Sequence, residues 1–235
     1  MRLKNKVAII TGASDGIGKQ ISLRLAKEGA KMALVARNNK NLQKVKQISL
    51  KLGAEKVEIY PCDITITKAL EKTVKKIVSD FGEVNILINN AGIWQKLSPI
   101  EKIDERVVDS VIRVNLTALI HCTRLVLPYL KRQKEAAIIN ISSKSGVTGQ
   151  EEQSVYAASK WGVRGFTEVL KTDLSGSSVR VAGVYQSGIN TQMFKKAGEN
   201  FNTKKFTNPA DLADAVVYML SRPKKIWLHE VRVEY

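Results

Sequence analysis

The sequence predicts a doubly wound α/β fold, with a mostly parallel seven-stranded sheet and helices on both faces. Short apolar runs alternate with longer amphipathic stretches from one end of the chain to the other, and a glycine-rich turn follows the first run. Near-continuous apolar strands joined by helices are typical of a parallel sheet, because right-handed crossovers cover both of its faces. Ligands of such sheets bind beyond the carboxyl ends of the strands.

Seven runs rich in β-branched and aliphatic residues predict the strands. They cover residues 7–11, 32–36, 57–60, 84–89, 137–142, 179–185 and 231–233. Amphipathic stretches predict helices that begin near Ile17, Asn39, Thr65, Asp104, Ser154 and Pro209. Because this alternation is continuous, we expect one domain over residues 1–235, with a short basic lid at about 192–207.

The composition excludes several kinds of site. Cys62 and Cys122 lie far apart without a Cys-x-x-Cys spacing, which argues against a disulfide framework and a zinc site. His121 and His229 are too few for a histidine metal site or a Ser-His-Asp triad. We therefore expect no metal. No apolar run approaches the length of a bilayer span, so we expect no membrane association and a cytoplasmic location.

The net charge is +16, from 38 lysines and arginines against 22 aspartates and glutamates. Such a charge attracts polyanions, and it makes nucleic acid, an acidic carrier protein and a phosphorylated cofactor eligible partners. Most of the excess is lysine dispersed along the helical stretches 40–51 and 68–76, without interleaved aromatic residues. This dispersion predicts a solvated surface and argues against a nucleic-acid site.

A glycine-rich turn, Thr-Gly-Ala-Ser-Asp-Gly-Ile-Gly at residues 11–18, joins the first strand to the first helix. Glycines let the backbone approach a pyrophosphate, which the amide groups and positive dipole of a helix start stabilise. The turn differs from the Gly-x-Gly-x-x-Gly fingerprint, because three residues separate its first two glycines. Its place between a strand and a helix still indicates a dinucleotide site.

Arg37 follows the second predicted strand, where an NAD site is expected to offer a carboxylate to the ribose hydroxyls. No acidic residue stands beside it. The planar guanidinium of Arg37 is instead suited to a 2′-phosphate. The sequence therefore predicts NADP(H) in preference to NAD(H).

Tyr156 and Lys160 lie one helical turn apart in a predicted helix, downstream of Ser143. Positions i and i+4 share a helix face about 5 to 6 Å apart, so a phenol and an ammonium can act on one substrate atom. An ammonium about 4 Å from a phenol favours the phenolate by roughly 4 kcal/mol at an effective dielectric of about 20. We therefore expect Lys160 to lower the pKa of Tyr156 from its ordinary value near 10 towards neutrality.

Together these features resemble the short-chain dehydrogenase/reductase family in its shorter form. The matching motifs are Thr-Gly-x-x-x-Gly-x-Gly at 11–18, Asp63, Asn-Asn-Ala-Gly at 89–92, Asn115, Ser143 and Tyr-x-x-x-Lys at 156–160. The resemblance implies a Rossmann-type sheet, a nicotinamide cofactor and hydride transfer between that cofactor and a carbonyl or alcohol carbon. It also implies a homodimer or homotetramer formed through the helices near 104–130 and 154–174.

The resemblance implies roles for individual residues. Tyr156 would exchange a proton with the substrate oxygen, which Ser143 would orient. Lys160 would hold the nicotinamide ribose, and Asn115 would anchor a water in a proton relay. Besides Tyr156 and Lys160, the implied cofactor contacts are Gly12, Ser14, Asp15, Gly16, Ile17, Gly18, Arg37, Asn38, Asp63, Ile64, Asn90, Ala91, Gly92, Ile189 and Thr191. Asp63 and Asn90 are also compatible with local capping and turn roles.

The chain departs from the family pattern at three places. Asp15 stands where family members often carry a basic residue, which weakens the preference for NADP(H), and Gln186-Ser187 replaces the usual Pro-Gly. Residues 227–235 lack the Asp-Gly-Gly tail of 3-oxoacyl-carrier-protein reductases and resemble the end of general carbonyl, 3-hydroxy acid and serine dehydrogenases. Position in the sequence predicts these pocket neighbours: Trp94, Gln150, Glu151, Tyr185 and Met193.

The sequence thus predicts an NADP(H)-dependent oxidoreductase that acts on a small carbonyl or alcohol substrate. One alternative is a 3-oxoacyl-carrier-protein reductase, which the basic surface favours because an acidic carrier could dock there. Another is a non-catalytic NADP(H)-binding sensor. A sensor would have no need of the four polar residues of the implied catalytic set together.

Overall fold

In the computed structural model, which describes residues 1–223 and 225–234, seven strands form one sheet. The strands are β1 Val7–Thr11, β2 Lys31–Ala36, β3 Lys56–Pro61, β4 Ile86–Asn89, β5 Ala136–Ile141, β6 Val179–Gln186 and β7 Glu230–Val233. Their order is β3-β2-β1-β4-β5-β6-β7, and every neighbouring pair is parallel. The predicted seven-stranded parallel sheet is confirmed. Lys224 and Tyr235, which belong to the predicted domain, lie outside the described residues.

The helices of the described chain follow the strands in alternation. They are α1 Gly16–Lys27, α2 Asn39–Lys51, α3 Thr67–Phe81, α4 Glu105–Ile112, α5 Ala118–Leu130, α6 Ser154–Asp173, the short α7 Met193–Lys196 and α8 Pro209–Ser221. A π-helical turn, Arg113–Thr117, joins α4 to α5. Each of the six predicted helix starts lies within two residues of an observed start. The hydrophobic periodicity of the sequence therefore located the helices well.

The sheet is buried on both faces because successive side chains of each strand point in opposite directions. Ala8 and Ile10 of β1 join a core layer with α1, α2 and α8, whereas Ile9 joins a second layer with α3, α5 and α6. This arrangement explains why the strands read as continuous apolar runs. All five residues of β1 are buried.

The carboxyl ends of the strands share one edge of the sheet because all strands run in the same direction. The strand order reverses between β1 and β4, since the chain first builds outward from β1 to β3 and then from β4 to β7. A crevice opens at such a reversal and is the usual ligand site of an open parallel sheet. The glycine turn after β1 and residues 89–92 at the end of β4 border this crevice.

One helical stretch of the described chain, Glu105–Leu130, bears on the expectation that no apolar run approaches the length of a bilayer span. This helical stretch of 26 residues is long and apolar enough to cross a membrane by length and composition. The apolar character has a second origin here, because Cys122 and Val126 pack into the core layer that also contains α3. Buried core helices of globular domains can have the same length and apolar composition, so these two properties alone do not indicate a span.

Candidate active site

The glycine turn after β1 is fixed to the end of β4 by hydrogen bonds. Thr11 Oγ1 accepts from the backbone N–H groups of Asn90 (3.0 Å) and Ala91 (3.1 Å), and Asn90 Nδ2 donates to the Thr11 carbonyl (2.9 Å). A Cβ added to Gly12, whose φ is +67°, would lie 2.8 Å from Asn90 Nδ2 and 2.9 Å from the Ala91 Cα. Only glycine accommodates this backbone conformation and this approach without strain. The glycine turn and the end of β4 are therefore in direct contact at the base of the crevice.

Asp15 caps the helix that begins beyond the turn. Its carboxylate accepts from the backbone N–H of Gly16 (2.7 Å) and pairs with Lys196 Nζ (2.8 Å). Partial burial raises the pKa of Asp15, but the bonds from Lys196 and Gly16 outweigh it and hold that pKa below its ordinary value. A Cβ on Gly16 would lie 3.3 Å from the Thr191 methyl, so the loop after β6 packs against this turn. The predicted cofactor contact of Asp15 stays a prediction, and the structure gives this residue a capping role and a paired charge.

The remaining predicted residues of the turn lie on the same short segment. Gly12, Ser14, Gly16 and Ile17 are partly exposed, whereas Gly18 is buried. Partial exposure leaves the backbone of the turn accessible at the crevice. Gly18 instead packs against the carbonyl of Gly12 and the side chain of Asn90, where a Cβ would clash.

Arg37, Asn38, Asp63 and Ile64 lie together at the ends of β2 and β3. Arg37 is exposed, and Asn38 caps α2 by accepting from the Asn41 N–H (2.9 Å). Asp63 Oδ1 accepts from the backbone and hydroxyl of Thr65. Burial raises the pKa of Asp63, but the Thr65 bonds and the nearby Arg37 charge together lower it by more. The net pKa lies below its ordinary value, so the carboxylate is ionised. Asp63 therefore has the local turn role that the sequence allowed.

The structure brings the four predicted catalytic residues together. Ser143 follows β5, Asn115 lies in the π-helical turn, and Tyr156 and Lys160 lie on α6. All four are buried, with Tyr156 and Lys160 each 4% exposed. The Ser143 side chain lies close enough to the Tyr156 hydroxyl to lower its pKa, and Lys160 Nζ lies 5.6 Å from the centroid of the Tyr156 ring. A Cβ on Gly92 would lie 3.3 Å from Asn115 Oδ1 and 3.6 Å from Lys160 Nζ.

The predicted acidification of Tyr156 was wrong. Burial raises the pKa of Tyr156 to about 12, although the hydrogen bond from Ser143 opposes this shift. Burial also lowers the pKa of Lys160 to about 8. The reason is that Lys160 lies over the ring face and donates to the Ile141 carbonyl (3.3 Å), while both groups are out of water. Desolvation then outweighs the attraction between ammonium and phenolate.

The turn that carries Ser143 contacts the backbone of α6. Ser142 Oγ donates to the Lys160 carbonyl (3.1 Å). A Cβ added to Gly146 would lie 2.6 Å from the same carbonyl oxygen and 2.8 Å from Ser142 Oγ. Glycine at this position therefore sets how closely the turn and the helix approach.

Asn115 ties the loop after β4 to α6. Its Oδ1 accepts from the Ile93 N–H (2.8 Å), and its Nδ2 donates to the Ile93 carbonyl (3.0 Å) and to Ser159 Oγ (3.1 Å). Both amide hydrogens are thus used within the protein. The π turn around it has the Ala118 N–H donating to the Arg113 carbonyl, and such turns are frequent at functional sites. The predicted relay water at Asn115 stays a prediction.

Gln95 is a site residue that the sequence analysis missed. It is buried, its Oε1 accepts from the backbone N–H of Tyr156 (2.9 Å), and its Nε2 donates to the Glu152 carbonyl (3.1 Å). Gln153 at the start of α6 offers no capping hydrogen bond, so Gln95 satisfies this helix end from another loop. No local pattern reveals such a cap.

A cavity of about 500 Å³ lies in front of Ser143 and Tyr156, and Ile17, Ile189 and Thr191 of the predicted cofactor set also line it. Predicted pocket neighbours that line it are Trp94, Gln150 and Met193. Two predicted neighbours were wrong. Glu151 is exposed, and Tyr185 is 1% exposed because its ring packs against Gly183 inside the fold.

Residues 192–207, the lid segment, pack over this cavity. Backbone hydrogen bonds close the base of the segment, from Asn190 N–H to the Thr207 carbonyl (3.0 Å) and from Thr207 N–H to the Gly188 carbonyl (3.1 Å). Glu199 Oε1 also accepts from the Leu97 N–H (2.6 Å). The lid segment is therefore held at its ends and on the side that faces the loop after β4.

The comparisons with known proteins agree with this geometry. A family model described as short chain dehydrogenase matches residues 6–202. An uncharacterized oxidoreductase of Staphylococcus epidermidis is 34% identical over 235 residues, which cover 99% of this chain and 98% of that protein. A 3-oxoacyl-[acyl-carrier-protein] reductase of Thermotoga maritima is 34% identical over 229 residues, with 94% and 92% covered. The structure of an alcohol dehydrogenase from the archaeon Thermococcus sibiricus, complexed with 5-hydroxy-NADP, superposes with a TM-score of 0.89 at 26% identity, with 97% and 96% covered.

Replacing Gly146 by alanine should separate Ser143 from Tyr156, because the new methyl group collides with the Lys160 carbonyl. We expect the free energy of unfolding to fall by about 1 to 3 kcal/mol, the usual cost of overpacking. Urea denaturation measures this change. Gly149→Ala is the matched control, since a Cβ there meets no atom within 4 Å. Equal stability of the two variants would contradict the proposed backbone constraint.

Lys160→Met should stabilise the protein at neutral pH, because it removes a buried ammonium. The folded pKa is about 8 against an ordinary 10.5, so below pH 8 the cost of burial is fully present. Between these values the unfolded chain binds the proton more tightly, so the stability of the unmodified protein rises with pH. We expect an advantage for Lys160→Met on the order of 3 kcal/mol at pH 7 that shrinks towards pH 10.5.

Urea denaturation at pH 7, 8.5 and 10 tests this expectation. Lys40→Met, at an exposed position, is the control and should show no comparable trend. A pH-independent difference between Lys160→Met and the unmodified protein would show that the ammonium is not desolvated.

Proposed function

Because the chain belongs to the short-chain dehydrogenase family, we propose that it is an NADP(H)-dependent oxidoreductase that transfers a hydride between the nicotinamide and a small carbonyl or alcohol substrate. One observation carries the proposal. Ser143 and Tyr156 lie together at the wall of a cavity, and the buried ammonium of Lys160 lies 5.6 Å from the centroid of the Tyr156 ring. A sensor without turnover would gain nothing from burying these groups together.

The two hydroxyl groups would act on the substrate oxygen. In reduction, negative charge grows on that oxygen, so donors fixed there by Ser143 and Tyr156 stabilise the transition state more than the ground state. When bound, NADPH would supply a hydride, which is two electrons and one hydrogen, to the carbonyl carbon. Tyr156 would give a proton to the carbonyl oxygen, and the products would be an alcohol and NADP⁺. The solvent returns the proton to Tyr156.

The shifted pKa values suit the direction of reduction. With a pKa of about 12, Tyr156 is protonated at neutral pH, which is the form that donates. With a pKa of about 8, Lys160 is mostly charged at pH 7 and would stabilise the phenolate that remains after proton transfer. Lys160 therefore acts on the product of proton transfer and does not need to acidify the free phenol beforehand.

The residues present fit NADP(H). Gly12, Ser14 and Gly16 are partly exposed, so the backbone of the glycine turn is accessible to a pyrophosphate. The bare Gly92 lies beside Asn115 and Lys160, where the nicotinamide ribose would bind. The exposed Arg37 offers its guanidinium to a 2′-phosphate. Lys196 pairs with Asp15, and this offsets the charge that weakened the preference for NADP(H). The Thermococcus sibiricus alcohol dehydrogenase with its NADP derivative supports the same cofactor.

We also propose a homodimer or homotetramer in the cytoplasm. The helices expected at the interface, α4 and α6, expose the large apolar side chains Val107, Trp161 and Val169. Apolar surface of this kind is consistent with an interface if these side chains form one patch. The small-molecule substrate would then bind in each protomer separately, because Ser143, Tyr156 and their cavity belong to one chain.

A 3-oxoacyl-carrier-protein reductase is the second candidate function. The relative from Thermotoga maritima favours it, and Lys195, Lys204 and Lys205 give the lid segment a basic surface for an acidic carrier. Against it stands the absence of the Asp-Gly-Gly tail. Turnover of a 3-oxoacyl thioester on the carrier protein, compared with the same thioester on coenzyme A, would separate this candidate from a general carbonyl reductase.

Tyr156→Phe should remove the proton donor while leaving the fold intact. We expect kcat to fall by about 10² to 10⁴, the usual contribution of a general acid, with the Kd for NADPH changed less than about threefold. Stopped-flow absorbance and NADPH fluorescence measure the two quantities. Tyr218→Phe, at an exposed position, is the control. Retained turnover in Tyr156→Phe would remove this residue from the mechanism.

Arg37→Gln should lower the preference for NADPH. A hydrogen bond to a charged group contributes about 1.5 to 3 kcal/mol, so we expect kcat/KM for NADPH to fall by about 10 to 100-fold. Steady-state assays should show that kcat/KM for NADH is nearly unchanged. A native protein that prefers NADH would reject the assignment of the 2′-phosphate to Arg37.

A further inference from the structure

Four aromatic side chains form one wall of the cavity in front of Tyr156. They are Trp94, Phe194, Phe201 and Phe206. Phe194 lies at the centre of this aromatic wall, 5.0 Å from Trp94, 5.3 Å from Phe201 and 5.6 Å from Phe206 between ring centroids. Trp94 continues the wall to the site, because its ring lies 4.5 Å from the Tyr156 ring. A group attached to the reacting carbon would therefore lie against aromatic surfaces.

The aromatic wall belongs to the substrate side of the cavity. Phe194, Phe201 and Phe206 all lie on the lid segment, whereas the predicted nicotinamide contacts Ile189 and Thr191 precede it. The closed base of the lid segment and the bond from Leu97 to Glu199 hold these rings in place. The wall is thus part of the segment that these bonds hold over the cavity.

The charged groups that line the cavity neutralise each other. Among the described lining residues, the charged ones are Lys144 and Glu234, and their side chains form an ion pair at 2.7 Å. The side-chain amides of Gln150 and Gln153, which also line the cavity, already take part in hydrogen bonds. Ser145 Oγ donates to Gln153 Oε1 (2.7 Å), and Gln153 Nε2 donates to Gln150 Oε1 (2.8 Å). A substrate carboxylate would find no unpaired cation on this lining and would meet the charge of Glu234.

Resting on the proposed function, we propose that the substrate is a neutral ketone, or the corresponding alcohol, that carries an aromatic ring next to the reacting carbon. Aromatic rings pack edge-to-face or offset against one another, as the rings of the wall already do. Burying a charged substituent without a partner is unfavourable. The cavity therefore selects against substrates that carry a negatively charged substituent.

Four related α-keto compounds separate the effects of ring and charge. They are methyl benzoylformate, benzoylformate, methyl pyruvate and pyruvate. Each carries the same ketone, which accepts a hydride at carbon and a proton at oxygen while NADPH becomes NADP⁺. We expect kcat/KM to be highest for methyl benzoylformate and at least tenfold lower when either the ring is removed or the charge is added.

Two variants tie these preferences to named side chains. Phe194→Leu should raise KM about tenfold for methyl benzoylformate and change it less than about twofold for methyl pyruvate, and Phe81→Leu in α3 is the control for the same substitution away from the cavity. Glu234→Gln should raise kcat/KM severalfold for benzoylformate alone, because it removes the negative charge beside Lys144.

A binding measurement separates the failure of this proposal from the failure of the proposed function. Methyl phenylacetate and phenylacetate carry the ring but no reducible ketone, so calorimetry reports recognition without turnover. We expect methyl phenylacetate to bind at least tenfold more tightly than phenylacetate, and Phe194→Leu to weaken its binding.

Each outcome decides one of the two proposals. Fastest turnover of pyruvate or benzoylformate would keep the oxidoreductase and overturn the substrate class. Ring-dependent binding without turnover of any ketone would keep the ring preference and overturn the oxidoreductase. Neither binding nor turnover would overturn both.

Discussion

The arrangement of the site depends on the backbone contact between Gly146 and Lys160. β5 leads into the turn that carries Ser143, and α6 carries Tyr156 and Lys160. The two elements meet where Gly146 has no side chain and Ser142 bonds the Lys160 carbonyl. This contact fixes α6 against β5, so that the Tyr156 hydroxyl reaches Ser143 while the ammonium below it reaches the Ile141 carbonyl. Ser143 and the two residues of α6 are thereby held in one geometry.

Burial gives these groups their chemistry and carries a cost in stability. Lys160 keeps its ammonium in the core beside a single main-chain acceptor and an aromatic ring. A well-packed apolar side chain would stabilise the fold more at neutral pH, so stability does not explain the lysine. Proton transfer does explain it, because a phenolate formed in a dry site needs a nearby positive charge. Functional sites commonly hold such unfavourable groups at the expense of folding free energy.

Local sequence patterns predicted those structural features that depend on residues close together in the chain. The bounds of β1 and the i, i+4 face shared by Tyr156 and Lys160 follow from periodicity alone. The pKa of Tyr156 could not be predicted in this way, because burial is set by the whole fold. Gln95 caps α6 from 61 positions away, and Lys196 pairs with Asp15 across 181 positions. Contacts between residues so far apart in the chain produce no pattern that can be recognised in a single sequence.

The lid segment connects the two halves of the site. Its aromatic rings face the substrate side of the cavity, while its Lys196 pairs with Asp15 at the start of α1. An exposed ion pair contributes only about 0 to 1 kcal/mol, so this pair alone cannot hold the lid segment closed. The strand-like bridge between Ile189 and Thr207, the bond from Leu97 to Glu199 and the packing of Phe194 on Trp94 also hold the lid segment in place. The position of the lid segment therefore depends on these contacts together and not on the charge of Asp15 alone.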